Sequence, residues 1–193
     1  VSPILESIGS VKGFGWGALL SSSSFESIAT VTVGGAGAAD ITFSSIAADW
    51  THLQIRGIGG NTTATHDYNT MTATFNSDTA ANYSVHRLYG QGTTAVSQGY
   101  ANTSNMYVGV TNNNALSYSI YSPVIIDILD YANTSKYKTV RVLAGNEDNS
   151  AGYGVIYLNS GSWRSTSAIT SITFLPGSGN FAENSTFALY GVK

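Results

Sequence analysis

From Tyr121 to Asn146 the chain reads YSPVIIDILDYANTSKYKTVRVLAGN, and a hydrophobic ladder can be written through it residue by residue. With Asn133, Thr134 and Ser135 as a turn and Asp130 facing Lys138, an antiparallel pair matches Val124 with Ala144, Ile126 with Val142 and Ile128 with Val140 on one face. The other face matches Ile125 with Leu143, Asp127 with Arg141, Leu129 with Thr139 and Tyr131 with Tyr137. A one-residue slip sets Asp127 opposite Val140 and Asp130 opposite Tyr137 and breaks both charge pairs, so the pattern alone specifies the register. The near-continuous apolar run Val124 to Leu129 predicts a central strand covered on both faces.

A period of two recurs elsewhere. Ile28, Thr30 and Thr32 alternate with Ala29, Val31 and Val33, Gly34 to Gly37 turn the chain, and Ile41, Phe43 and Ser45 begin a second strand, which together predict a hairpin. Trp50 to Ile58 alternates with Leu53 and Ile55 on one side and His52, Gln54 and Arg56 on the other, which makes His52 a solvated strand residue. Short strands are expected at Met71 to Phe75, Tyr83 to Tyr89, Met106 to Val110, Leu116 to Ile120, Gly152 to Leu158, Ile169 to Phe174 and Thr186 to Val192. The stretches Gly59 to Asn69 and Gly90 to Asn105 read as loops. Glycines and β-branched residues interrupt every window in which a helix could be drawn. About ten short strands punctuated by turn signals predict an all-β fold, an antiparallel β-sandwich of jelly-roll type, over residues 26–193.

Residues 1–25 stand apart as an N-terminal arm. Gly9, Gly13, Gly15 and Gly17 are interleaved with Phe14 and Trp16, and Ser21 to Ser24 form a joint. The arm either packs on its own domain or docks on a partner through Ile4, Leu5, Phe14, Trp16 and Leu19.

Composition narrows the partners. The 193 residues are 42% hydrophobic but only 10% charged, so the surface is built from Ser, Thr, Asn and Gly. Soluble sheet proteins guard exposed strand edges with charge, and eight Lys plus Arg leave few guards. Edges covered by copies of the same chain, as a homo-oligomer and most simply a trimer, or by a larger assembly, are the expected solution. A net charge of −3 with scattered cations argues against nucleic acid. The absence of cysteine excludes disulfides and thiolate chemistry. No apolar run reaches the length of a membrane helix and no export signal is visible, so the chain reads as soluble without membrane insertion.

Candidate chemistry is sparse. Glu147 and Asp148 between asparagines have the oxygen chemistry of a calcium loop but match no EF-hand spacing and read as a solvated turn. Asp127 and Asp130 as a glycosidase pair would sit on opposite faces of the sheet, each with a cation across from it. His66 beside Asp67, and His86 beside Arg87, form no triad with any serine that spacing singles out. No catalytic residue, metal site or cofactor is expected. Five N-x-S/T sequons, at Asn61, Asn82, Asn102, Asn133 and Asn184, follow from composition alone. The tyrosines Tyr68, Tyr100, Tyr107, Tyr118 and Tyr153, set among small hydrogen-bonding residues, offer flat amphipathic surfaces suited to sugars or protein. Subunit contacts or core margins are the alternative use for them.

Several segments resemble a group of small virion proteins of tailed bacteriophages from aquatic bacteria and cyanobacteria: Ser24 to Gly34 (SFESIATVTVG), Ile41 to Gly57 (ITFSSIAADWTHLQIRG), His86 to Gly90 (HRLYG), Val124 to Val140 (VIIDILDYANTSKYKTV) and Ala168 to Lys193 (AITSITFLPGSGNFAENSTFALYGVK). The resemblance implies a non-enzymatic structural part on the virion surface, assembled in the host cytoplasm: a trimeric fibre or receptor-binding head, or a capsid decoration protein. Its implied partners are other virion proteins and a host-surface glycan or protein. A polysaccharide-cleaving tail enzyme is the competing expectation, and it requires paired carboxylates converging in a groove.

Overall fold

The computed structural model describes residues 24–63, 68–113, 120–147, 152 and 154–193. Among them there is no helix, and twelve strands form one mixed sheet that folds over into two sandwich-like layers. The strands are β1 (Phe25–Thr32), β2 (Ile41–Phe43), β3 (His52–Asn61), β4 (Tyr68–Phe75), β5 (Tyr83–Gln91), β6 (Thr94–Thr103), β7 (Met106–Asn113), β8 (Ser122–Leu129), β9 (Lys138–Asn146), β10 (Val155–Trp163), β11 (Ile172–Pro176) and β12 (Thr186–Val192). The larger layer runs β1-β12-β3-β8-β9-β10-β5-β6 and the smaller β2-β11-β4-β7. The arrangement is compatible with the expected jelly roll. It is not wholly antiparallel: the end of β3 leaves the larger layer and pairs in parallel with β7, Gly60 with Asn112 and Asn61 with Asn113.

Alternation explains the core. Val124, Ile126 and Ile128 of β8, Val140, Val142 and Ala144 of β9, and Leu53 and Ile55 of β3 turn one face of the larger layer inward. Met71, Ala73 and Phe75 of β4, Met106, Val108 and Val110 of β7, and Ile172 and Phe174 of β11 meet them from the smaller layer. A bulge between Met71 and Thr72 lets β7 follow this curved surface, with Gly109 at φ +132, a conformation that L side chains rarely adopt.

The predicted β8–β9 register is the observed one, from Val124 opposite Ala144 to Leu129 opposite Thr139. Its surroundings differ from the expectation. Among the described residues only one face is covered: Ile125 is 40% and Leu143 48% exposed, because the smaller layer packs on a single side of the larger. Beyond Leu129 the ladder stops. Asp130 takes φ +49 at the turn and pairs with Lys136, not Lys138. Lys138 is instead buried, its Nζ donating to the carbonyl oxygens of Asn133 (2.6 Å), Lys136 (3.1 Å) and Thr166 (3.1 Å). Tyr131 turns into the core and donates to the carbonyl of Ala47, while Tyr137 stays exposed, so these two never face each other. Asp127 and Arg141 are register partners, but they form no ion pair; Asp127 accepts from Gln54 Nε2 at 2.8 Å.

The hairpin expected from Ile28 to Ser45 does not form. β1 pairs with β12 and β2 with β11, so the Gly34 to Gly37 turn carries the chain from one layer to the other. Gly37 closes that turn on the Gly34 carbonyl with φ +71, where a side chain would also strike the Phe181 carbonyl. The stretch from Gly90 to Asn105, expected as a loop, contains β6. Its residues carry no large aliphatic alternation because it is an edge strand, mostly exposed, with only Val96, Gln98 and Thr103 half-buried. The expected arm 1–25 lies outside the described residues as far as residue 23, with Phe25 already in β1, and the expected strand Leu116 to Ile120 lies outside them except for Ile120.

Candidate functional site

Three of the five proposed binding tyrosines gather around one arginine. Along β5, Tyr83, Val85, Arg87 and Tyr89 point to the inner face by strand alternation, which carries a guanidinium into aromatic surroundings. Its Cζ lies 4.5 Å from the ring centre of Tyr107, 5.2 Å from Tyr100, 5.3 Å from Tyr89 and 5.5 Å from Tyr157. Tyr68 joins through Tyr157, whose hydroxyl donates to its own at 3.2 Å, and Tyr68 in turn donates to Gln91 Oε1 at 3.2 Å. Tyr118 and Tyr153 lie outside the described residues.

The cluster is held by neutral partners. Arg87 Nε donates to Gln98 Oε1 at 2.8 Å, Nη2 to the same oxygen, and Nη2 to the Tyr100 hydroxyl at 3.1 Å. Tyr100 donates to that Gln98 oxygen at 3.0 Å, so one amide oxygen fixes both groups. Nη1 makes no hydrogen bond among the described residues, and Arg87 as a whole is half-buried. The only ion pairs among those residues are those of Asp130 with His52 and Lys136, so Arg87 has no carboxylate partner. Burial pushes the Tyr107 hydroxyl up to about 12 and raises that of Tyr157 as well. Tyr107 Oη is buried close to the Tyr157 hydroxyl and the Arg87 guanidinium, both of which lower its pKa against the effect of burial, and the Asn159 side-chain oxygen is buried without a hydrogen-bond partner. Arg87 opens into a cleft of about 200 Å³ lined also by Thr70, Thr72, Val85, Tyr100, Thr103, Asn105 and Tyr107.

Sequence reasoning named the tyrosines but missed Arg87, Tyr89, Tyr157 and Gln98. The signal was present: in Tyr83, Val85, Arg87 and Tyr89 the arginine shares the face of residues that read as core.

The opposite, outer face of the larger layer carries a second feature. Ile125, Leu143, Leu158 and Leu88 are direct cross-strand neighbours on β8, β9, β10 and β5, and all stand exposed, the last two at 51% and 54%. Beside this row Pro123, Ile156, Gly90 and Gly145 shape a groove of about 600 Å³. A polar row borders the apolar one: Gln54, Asp127, Arg141, Ser160 and His86. The Arg141 guanidinium has no partner among the described residues.

The remaining candidates do not converge. Asp127 lies on the outer face, whereas Asp130 sits in the turn after β8, its N–H donating to His52 Nδ1 at 3.0 Å. His86 points away from Arg87, over Gly99 on the outer face. His66, Asp67, Asp148 and the anchoring set Ile4, Leu5, Phe14, Trp16 and Leu19 fall outside the described residues. Among the described residues no cluster of three His, Asp or Glu could hold a metal ion. Compared with known proteins, the chain matches no family model and no curated protein.

Proposed function

We propose that this chain is a non-enzymatic structural protein of a tailed-bacteriophage virion, exposed on the particle surface in a fibre, receptor-binding or capsid-decoration role. It works as a homo-oligomer, a trimer, held to other virion proteins through residues 1–25. The observation that carries the reading is the exposed row Ile125, Leu143, Leu158 and Leu88. Four adjacent strands present large aliphatic side chains to solvent in one unbroken line, a patch of the kind that marks protein contacts rather than a free monomer surface. The edge strand β6 supports the same reading, since its ten residues TAVSQGYANT include no charge to deter strand addition. Such a chain is at home where neighbouring subunits cover it.

The test is an image of the particle carrying a label at the C-terminus, where Lys193 is exposed. A label on the outer surface at repeated positions supports the reading. A chain that copurifies with infected-cell lysate but never with particles overturns it. A sugar-release assay on host envelope separates this reading from a polysaccharide-cleaving tail enzyme.

A further inference from the structure

A guanidinium is charged at every physiological pH, and withdrawing it from water without a counter-ion is costly. Arg87 recovers part of that cost from the faces of four tyrosine rings and from the oxygens of Gln98 and Tyr100. Those partners are neutral. They orient the charge without cancelling it, and neither Gln98 nor Tyr100 engages Nη1.

The walls around this charge have a definite chemistry. Thr70 and Thr72 from β4, Thr103 from β6 and Asn105 just after it contribute hydroxyls and an amide, and Tyr100 contributes a ring that is 41% exposed. Among the described residues no Asp or Glu lines the cleft, so an incoming anion meets an attractive field there even though the chain as a whole carries −3. A space of about 200 Å³ suits one sugar ring and is too small for a folded peptide. Hydroxyl and amide groups pair with ring hydroxyls, a tyrosine face packs on the apolar face of a pyranose, and the remaining guanidinium nitrogen, Nη1, can donate a charge-assisted hydrogen bond to a carboxylate oxygen.

We propose that the cleft binds a single acidic sugar unit, a pyranose bearing a carboxylate, within a surface polysaccharide. The carboxylate meets Arg87 Nη1, the ring lies against Tyr100, and Thr70, Thr72, Thr103 and Asn105 hold the ring hydroxyls. This deepens, and rests on, the receptor-binding branch of the proposed function.

The experiment is a titration of the full chain, followed by saturation-transfer NMR and calorimetry, with a glucuronate-containing oligosaccharide and a neutral glucose oligosaccharide of equal length. The acidic ligand is expected to bind at least about tenfold more tightly, and to weaken when salt is raised to about 1 M. Arg87→Gln and, independently, Tyr100→Ala at the exposed edge should each weaken it by about tenfold or more, while His86→Gln on the other face of the same strand leaves it unchanged. Tyr100→Ala keeps the test decisive if Arg87→Gln fails to fold. Equal binding of the two ligands, affinity unmoved by either cleft variant, or no binding of either ligand up to about 10 mM overturns the proposal. Failure of the titration with the chain still on the particle surface removes the acidic-sugar site alone. Absence from the particle removes the virion reading and leaves the titration to be judged by itself.

Discussion

The indole Nε1 of Trp163 donates to Asp78 Oδ2 at 2.7 Å, tying the end of β10 to the turn between β4 and β5. Asp78 also accepts from Asn82 Nδ2 at 2.8 Å and from the Ala80 N–H at 2.9 Å, and its carbonyl accepts from the Tyr83 hydroxyl. The Asn82 amide and the Trp163 indole together hold the carboxyl below the usual aspartate value. With the folded pKa depressed, the stabilisation is complete above the unfolded aspartate pKa and is lost as pH falls through the lower folded value. Asp78→Asn should therefore lower stability at neutral pH by about 1 kcal/mol, discounted for partial solvent exposure, and the gap to the parent should close in acid. Urea unfolding at both ends of that range checks it. A gap independent of pH would show that the carboxylate charge contributes nothing.

The two faces of β8 should answer differently to the same truncation. Ile126→Ala removes a buried side chain and should cost about 2 to 5 kcal/mol at any protein concentration. Ile125→Ala lies on the exposed face, so its cost should be about 1 kcal/mol or less in dilute solution and should grow with concentration as subunits associate. Denaturation midpoints measured across a concentration series decide this. Equal, concentration-independent losses would mean that the outer face is already covered within one chain.

Much of the hairpin was legible because aliphatic alternation and the opposition of Asp127 to Arg141 point to the same register, although the two side chains form no ion pair in it. Which face met a second layer was not legible, since Ile125, Leu143 and Leu129 are as apolar as the residues that are buried. The Ile28 to Ser45 region misled for a different reason. Two alternating segments separated by glycines look alike whether the turn reverses a strand within a sheet or crosses between layers, and only the long-range partners β12 and β11 distinguish them. β6 escaped notice because an edge strand needs no apolar face. The tyrosines could be named one by one, but their centre, Arg87, reads locally as an ordinary polar residue beside His86.

Lys138 offers a test of the turn that replaced the expected Asp130 pairing. Its ammonium closes on three backbone carbonyls, and Lys138→Met keeps the buried stem while leaving those oxygens without their donor. The variant should lose about 1 to 3 kcal/mol, and amide exchange should quicken selectively from Asn133 to Lys136. Asp130→Asn, at the solvent-facing side of the same turn, should change stability little. Protection unchanged in Lys138→Met would show that the lysine merely fills space.

The central claim is that the outer face of the larger layer is covered by other subunits, and the molar mass of the purified chain tests it most directly. Light scattering at micromolar concentration should give an oligomer, with three chains of 20.2 kDa as the expected mass. Leu143→Lys or Leu158→Lys, each placing a charge in the middle of the exposed row, should reduce that mass to one chain while leaving the circular dichroism of the fold unchanged. A parent protein that runs as a well-behaved monomer, or an oligomer whose mass neither substitution alters, would contradict the account.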